Sequence, residues 1–578
     1  MTFPAINASV VEEGVVLSFS YHPQLVEYVR TIPGRQYDKL KHNWVIPKAQ
    51  YRKFKTTYPR WAALHGCQLE FTITPEPGHE QALEQLCNIS FTPLPNVEGF
   101  KGTLYPFQAD GTGFLVSRRH CLLADDMGLG KSIQTIAAAL EQRNRGKIKK
   151  ALIFVPKSII SQWVNEIEKF SGEKAIYIAG DKAQRALALT EAEQPSSFFI
   201  VTNYETILRD TEALARLKPD LVVLDEAQRV GSYQAKTTEL IKRHFKSPYR
   251  WALSGTPLEN ALSEVHSIMD WIDDGVLGPW WIFRNEYLIY GGFKGKQIVG
   301  SRNLVQLHEQ ISPFMLRRRK AGVLKDLPAV TINTYEVDLD KDEWDLYKVL
   351  RQKLYEHCER LRKAQKPDAE EVASRASGEM LSALVYLREC CDHTALVSEE
   401  LRKSSKLAEL KNILQDLGDR KVVIFTEFAE CLKLIAQALP MKYVTLYGAM
   451  DDTSRIRAIN SFVNQLDVRV FLSTEAGGVG LNLQVASTII NYDLPWNPAK
   501  LQQRVGRLHR IGQKNTVTCI NLLAKNTIEE HVVAVLNEKT ALFTKVIDGN
   551  FDGYTEQTLL WDILRHEFPE NQRMEKCF

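Results

Sequence analysis

Five short runs between residues 122 and 257 constrain the fold of this 578-residue chain more than any other feature. LLADD (122–126), ALIFVP (151–156), SFFIVTN (197–203), LVVLDE (221–226) and WALSGTP (251–257) are apolar for most of their length and turn polar at their ends. A strand with one wet face alternates, whereas a strand apolar throughout is covered on both faces, the habit of parallel sheets flanked by helices. Helical stretches such as IQTIAAALEQR (133–143) separate these runs. The pattern resumes with KVVIFTEF (421–428), YVTLYG (443–448), VRVFLST (468–474), STIINYDL (487–494) and VTCINLLA (517–524). Two parallel sheets are therefore expected, with ligands at the carboxyl ends of their strands.

The rest of the chain reads differently. Residues 14–20 alternate like a strand, 22–30 and 49–57 suit short helices, Pro33-Gly34 suits a turn, and 43–46 suit another strand. Residues 260–400 are mostly helical in period, and 528–547 suit a final helix. The expected divisions are a basic α/β module (1–95), a first lobe with a helical protrusion (96–325), a linker with a helical insertion (326–404), a second lobe (405–550) and a tail (551–578).

Composition narrows the function classes. Hydrophobic residues at 44% and charged residues at 25% suit a packed globular chain. No apolar run reaches the ~18 residues of a membrane span, and the start lacks a signal-peptide pattern. No membrane partner is expected, and the cytosol or nucleoid, or the nucleus in a eukaryote, is the expected compartment. The nine cysteines include no CxxC pair, and Cys390-Cys391-Asp392-His393 suits a buried helix better than a metal site. Net charge is only +3, yet residues 21–60 carry nine Lys/Arg against two acids. Such a patch suits a phosphate backbone, with a solvated face as the alternative.

Three segments carry the chemistry. Asp125-Asp126-Met127-Gly128-Leu129-Gly130-Lys131-Ser132 lies between a strand and a helix. Its glycines let backbone N–H groups approach phosphates, Lys131 supplies a point charge, and Ser132 offers a hydroxyl to Mg²⁺. The strict phosphate-loop pattern has glycine where Asp125 stands. Asp225 and Glu226 end an apolar run, where one acid can hold Mg²⁺ through water and the next can orient the attacking water. Taken alone, the pair also suits a helix N-cap. Arg507 and Arg510 lie three apart, on one face if helical. They suit a γ-phosphate contact, a DNA contact or a solvated helix.

From Leu104 to about residue 540 the order of motifs resembles a Swi/Snf-type ATPase of helicase superfamily two. Leu104-Tyr105-Pro106-Phe107-Gln108 is similar to that family's adenine-reading motif, and DDMGLGKS (125–132) to its phosphate loop, acid included. Phe154 to Ser158 with Gln162-Trp163, Thr202 to Glu205, Leu253 to Asn260, Leu316 to Lys320 before Leu327-Pro328, Leu387-Arg388 with Cys391 and His393, Ser473 to Leu483 and Gln502 to Gln513 follow in register. The resemblance implies an α/β fold of two RecA-like parallel-sheet lobes with helical insertions, and a monomeric, DNA-dependent ATPase that translocates on double-stranded DNA. It implies ATP contacts from Gln108, Asp126, Gly128, Leu129, Gly130, Lys131, Ser132 and Gly480. Lys131, Asp225, Glu226, Gln228, Arg507 and Arg510 would be catalytic, with Gln228 coupling the lobes where histidine is commoner. Mg²⁺ would sit at Ser132 and Asp225.

Tyr21-His22-Pro23, Arg35, Tyr37-Asp38 and Trp44 resemble the HARP domain of annealing helicases, which binds branched DNA. That likeness implies a forked-DNA partner and an output of remodelling or reannealing. Tyr37 and Trp44 suit a core better than base stacking. Expected DNA contacts are Lys39, Lys41 and Lys53 in the module and Ser254, Thr256 and Thr474 in the lobes. Two other readings stand beside this one: a RapA-like motor that displaces a protein such as RNA polymerase from DNA, and a nucleotide-gated DNA-binding subunit of a restriction or defence complex. A protein partner would come from replication, transcription or defence.

Overall fold

The computed structural model describes residues 6–32, 34–39, 41–48, 50, 51, 54, 55, 58, 73–78, 91–291, 297–363, 382–474 and 483–549. Within the first lobe, seven strands form one sheet: β6 (His120–Leu123), β7 (Ala151–Val155), β8 (Ile176–Ile178), β9 (Phe199–Asn203), β10 (Leu221–Asp225), β11 (Tyr249–Leu253) and β14 (Met315–Leu316). Their spatial order is β14-β6-β11-β10-β7-β9-β8, and every pairing is parallel.

Alternation along these strands explains why the runs are apolar throughout. Leu122, Leu152, Phe154, Ile200, Val222, Leu224 and Ala252 pack into one cluster. Their neighbours Cys121, Leu123, Ile153, Val155, Val201, Val223, Trp251 and Leu253 pack into another. Successive side chains leave opposite faces of a strand, so both faces of this sheet are dry. The second sheet repeats the design with Val422, Ile424, Leu472 and Ile490 on one side. Val423, Phe425, Phe471 and Ile489 lie on the other.

That sheet contains β15 (Val330–Val337), β16 (Val422–Thr426), β17 (Tyr443–Leu446), β18 (Val470–Thr474), β19 (Thr488–Asn491) and β20 (Val517–Ala524). Their order is β15-β20-β19-β16-β18-β17, again wholly parallel. All five runs expected here are strands. The sixth, β15, falls in the stretch expected to be a linker with a helical insertion. Thr331 to Glu336 are exposed, so this edge strand lacks the apolar run that marks a buried one. A hairpin of β12 (Leu288–Gly291) and β13 (Gln297–Ser301) likewise interrupts the mostly helical stretch.

At the N-terminus, β1 (Ile6–Val10), β2 (Val15–Ser18), β3 (Gln36–Asp38), β4 (Asn43–Ile46) and β5 (Ile73–Pro75) form a sheet ordered β3-β4-β2-β1-β5. The helix Pro23–Arg30 buries Leu25 and Val29 against it. Residues 48, 50, 51, 54, 55 and 58 are helical, with Tyr51, Phe54 and Tyr58 buried in the same core. The strands β1, β3 and β5 were not anticipated.

The lobes are in contact. The helix Ile528–Val546 follows the second sheet, yet Phe543 and Val546 belong to the apolar cluster of the first lobe. Beyond this helix, Asp548 accepts from Arg317 Nε at 2.9 Å and from Arg319 at 2.6 Å. Among the described residues no helix is long and apolar enough to cross a membrane.

Candidate active site between the lobes

The carboxyl end of β6 opens into the loop 124–130, which caps the helix Lys131–Asn144. Gly128 (φ +84°) and Gly130 (φ +75°) hold left-handed backbone that a side chain would strain. A Cβ on Gly130 would also lie 2.5 Å from Gln108 Nε2. Gln108 is buried, donating to the Leu129 carbonyl at 3.3 Å and accepting from the Tyr105 amide at 3.1 Å. Its amide therefore ties the expected adenine-reading segment to the loop. Lys131 Nζ donates to the Asp125 carbonyl at 2.9 Å. Unpaired amides at the start of such a helix favour an anion.

Asp125, the acid in place of glycine, has a physical reason to be there. It is wholly buried and forms a two-pronged ion pair with Arg318, whose Nε lies 2.9 Å from Oδ1. Gln134 donates to the same carboxylate at 3.2 Å. Arg318 also donates to Gln134 Oε1 and to the Phe107 carbonyl. One guanidinium thus joins the loop, its following helix and the helix Pro106–Ser117. Asp126 faces Arg317 at 2.7 Å and accepts the Lys320 amide at 2.9 Å. In this arrangement Asp126 pairs with protein groups.

Asp225 ends β10 with its carboxylate held by the Trp163 indole N–H at 2.7 Å and the Glu226 amide at 2.9 Å. Burial, then the neighbouring Glu226 carboxylate, pushes its pKa up to about 7, against the Trp163 bond and Lys131. A cation bound there would relieve that cost. Among the described residues no group of three or more His, Cys, Asp or Glu could hold a metal. Mg²⁺ needs no such cage, since it commonly takes one or two protein ligands beside substrate phosphates. Ser132 and Asp225 fit that role.

Glu226 has φ +51° and ψ +55°, a conformation that costs a non-glycine residue about 1–3 kcal/mol. Gln228 Nε2 donates to Glu226 Oε2 at 2.8 Å, and Ser254 Oγ donates to Gln228 Oε1 at 2.6 Å. Ser254 and Thr256 are wholly buried. Both residues, expected as DNA contacts, have their hydroxyls hydrogen-bonded inside the lobe in this arrangement.

The two arginines arrive from the second lobe. The helix Pro498–Val505 ends at Gly506, and turn-type bonds follow, Arg507 N to Arg504 O at 3.1 Å and Leu508 N to Val505 O at 3.1 Å. Arg507 and Arg510 thus stand beyond the helix, not on one helical face. They still meet the first lobe: a Cβ on Gly128 would lie 3.2 Å from Arg510 Cγ. Arg510 Nε donates to the Gly506 carbonyl at 2.7 Å. A cavity of about 550 Å³ is lined by Gln108, Gly128, Gly130, Lys131, Ser132, Asp225, Glu226, Arg507 and Arg510. Its electrostatics suit a polyanion. Lys320, beside Asp126, is pushed down to about 8 by burial and by the like charges of Arg510, Lys131 and Arg507. Such crowding of cations is relieved when an anion enters.

Other expected contacts are not gathered here. Lys39 and Lys41 are exposed on the N-terminal module, and Tyr37 packs on Trp44 with ring centroids 4.8 Å apart. Tyr37 is 45% exposed, so it is not core, while Trp44 is half-buried against the core. Thr474 is buried at the end of β18. Gly480 and Lys53 lie outside the described residues. Arg318 was expected only as part of an interlobe segment, and its pairing with Asp125 spans 193 residues, which no local pattern encodes. Cys390 and Cys391 are buried in a helix, as their spacing suggests.

The SNF2-related domain matches residues 38–396 and the helicase conserved C-terminal domain residues 405–512. This chain belongs to the SNF2-related family. Its relatives include the ATP-dependent helicase brm of Drosophila melanogaster, 29% identical over 81% of this chain and 31% of the relative. The putative ATP-dependent helicase/translocase YwqA of Bacillus subtilis is 30% identical over 78% of this chain and 49% of its own length. The uncharacterized ATP-dependent helicase YqhH of the same organism is 27% identical over 83% and 88% respectively. This SNF2-related chain thus spans about a third to a half of the first two. Among solved structures, the Sulfolobus solfataricus SWI2/SNF2 ATPase core in complex with dsDNA is 28% identical, covering 84% of this chain and 99% of that one, at a TM-score of 0.38.

Proposed function

We propose that this protein is a DNA-dependent ATPase that translocates on double-stranded DNA. The observation that carries the reading is the shared cavity, where Lys131, Asp225 and Glu226 of one lobe meet Arg507 and Arg510 of the other. Loop amides and Lys131 bind the ATP phosphates, and Gln108 shapes the adenine end. Ser132 and Asp225 would hold Mg²⁺, which would supply neutralisation of phosphate charge. Glu226, fixed by Gln228, orients and deprotonates the attacking water. Arg507 and Arg510 stabilise charge on the transferred phosphoryl group only when the lobes meet. Hydrolysis is thereby linked to lobe movement along a duplex backbone. Ordinary duplex is the expected substrate, and the exposed lysines of the N-terminal module support a second, HARP-like contact with forked DNA.

The deciding measurement is ATP turnover by the full chain with no DNA, and with single-stranded, duplex and forked DNA of equal length. Turnover that ignores duplex would sink the reading and favour a nucleotide-gated binding subunit. Two expected results arise from the same geometry. Lys131→Ala should weaken ATP binding about 10- to 100-fold, the usual worth of a charge-assisted bond, as read by fluorescent-nucleotide titration. Lys39→Ala with Lys41→Ala should flatten the log–log salt dependence of forked-DNA binding by up to about 1.8, at roughly 0.9 per phosphate. An unchanged slope would remove these lysines from the interface.

A further inference from the structure

The bond from Ser254 to Gln228 is one link in a longer chain. Ser254 Oγ also accepts the Thr256 amide at 3.0 Å. Thr256 Oγ1 donates to Glu259 Oε1 at 3.2 Å. The other oxygen of Glu259 accepts from Asn497 Nδ2 at 3.1 Å. Asn497 belongs to the second lobe and caps the helix Pro498–Val505, its Oδ1 accepting the Ala499 amide at 2.9 Å. That cap fixes the orientation of the amide, because the Ala499 N–H needs an acceptor and leaves the NH₂ facing Glu259. Hydrogen bonds therefore run without a gap from the Glu226 carboxylate to the helix that leads into Arg507 and Arg510. Ser254 and Thr256 are buried, so water does not compete with the central links.

We infer that Glu259 and Asn497 are positioning residues, which register docking of the second lobe and pass it through Thr256, Ser254 and Gln228 to Glu226. The inference rests on the reading of Glu226 as the residue that orients water. With Asn497 in place, Glu259 is held by a donor on each oxygen and Thr256 is fixed in turn. When the lobes part, one donor is lost and the chain slackens at the Glu226 end. Arginine delivery and water orientation are then set by the same docking event.

The surroundings of Glu259 make the link testable by pH. Burial, then the carboxylates of Glu264 and Glu226, raise its pKa to about 7, while the bonds from Thr256 and Asn497 lower it. Lys539, on the helix Ile528–Val546, is a nearby cation, donating to Asn260 at 3.0 Å, and Lys500 on the helix that Asn497 caps lies close enough to repel it. Asn497→Asp keeps an oxygen for the Ala499 cap and removes only the donor to Glu259, setting two carboxylates face to face. Below about pH 6.5 such a pair shares a proton and regains a hydrogen bond, whereas near pH 8 it repels.

The experiment measures DNA-stimulated kcat and the ATP KM of the full chain, for wild type, Asn497→Asp and Thr256→Val, at about pH 6 and about pH 8. Relative to wild type at the same pH, Asn497→Asp should lose about tenfold in kcat near pH 8 and recover to within about threefold near pH 6, with KM changed less than about twofold. Thr256→Val should lose a similar factor at both pH values, since its missing hydroxyl does not titrate. Loss of Asn497→Asp turnover that is equal at both pH values would overturn the inference and mark a merely structural role. So would wild-type kcat in both variants. A wild type without DNA-stimulated turnover sinks the ATPase reading itself and the inference with it; an active wild type matched by Asn497→Asp sinks the inference alone.

Discussion

Alanine in place of Arg510 is expected to lower DNA-stimulated ATP turnover by about 10³-fold or more, the range for an arginine that completes a phosphoryl-transfer site. The side chain rests against Gly128 of the phosphate loop although it comes from the other lobe. Burial lowers the pKa of its guanidinium, with only Glu166 acting against that shift, which suits a cation placed to meet an incoming anion. ATP binding should fall by less than about tenfold, because the loop amides, Lys131 and Ser132 all remain. Single-turnover hydrolysis and nucleotide titration separate the two quantities. Equal losses of DNA affinity and turnover would instead mark Arg510 as a DNA contact.

Methionine in place of Lys406 is expected to destabilise the second lobe by about 3–5 kcal/mol, the usual cost of leaving a buried charge without its partner. Lys406 is wholly inaccessible and donates to Asp392 at 2.9 Å and to Glu529 at 2.6 Å. Those carboxylates come from the helix that includes Cys390 and Cys391 and from the helix Ile528–Val546. Removing the amine strands two buried acids at once, and the carboxyl group of Asp392 is already held well above its ordinary range by burial. Denaturant unfolding followed by the intrinsic fluorescence of the full chain reads the effect. Adding Asp392→Asn and Glu529→Gln should restore most of the loss, since a neutral set has no charge to strand. A Lys406→Met protein as stable as wild type would show that the triad contributes nothing net.

The two parallel sheets were legible because burial on both faces leaves an unbroken apolar run, as in Leu221 to Leu224 and Val422 to Phe425. β15 escaped because its residues face solvent, and β14 because two residues make no pattern. The loop from Asp125 to Ser132 was legible as chemistry, since its glycines and lysine are neighbours in the chain. The spacing of Arg507 and Arg510 would put them on one face only if they were helical, and the helix stops at Gly506 before them. Ser254 and Thr256 were named as DNA contacts by resemblance, and the sequence gives no sign of the hydrogen bonds they make within the lobe. The partners of the site were the least legible. Arg318 finds Asp125 across 193 residues and Asn497 finds Glu259 across 238, distances at which only folding supplies the pairing.

The segment Leu316 to Lys320 follows the last helices of the first lobe, yet it supplies that lobe's edge strand, the counter-ion for Asp125 and the backbone donor for Asp126. The lobe is consequently not a severable part. A fragment cut before Met315 would retain the whole phosphate loop in its sequence and lack what neutralises it. Extending the fragment by only six residues, through Lys320, returns the strand and all four basic side chains. The boundary of a functional first lobe is thus set by where its buried acids find their counter-ions rather than by where its helices end.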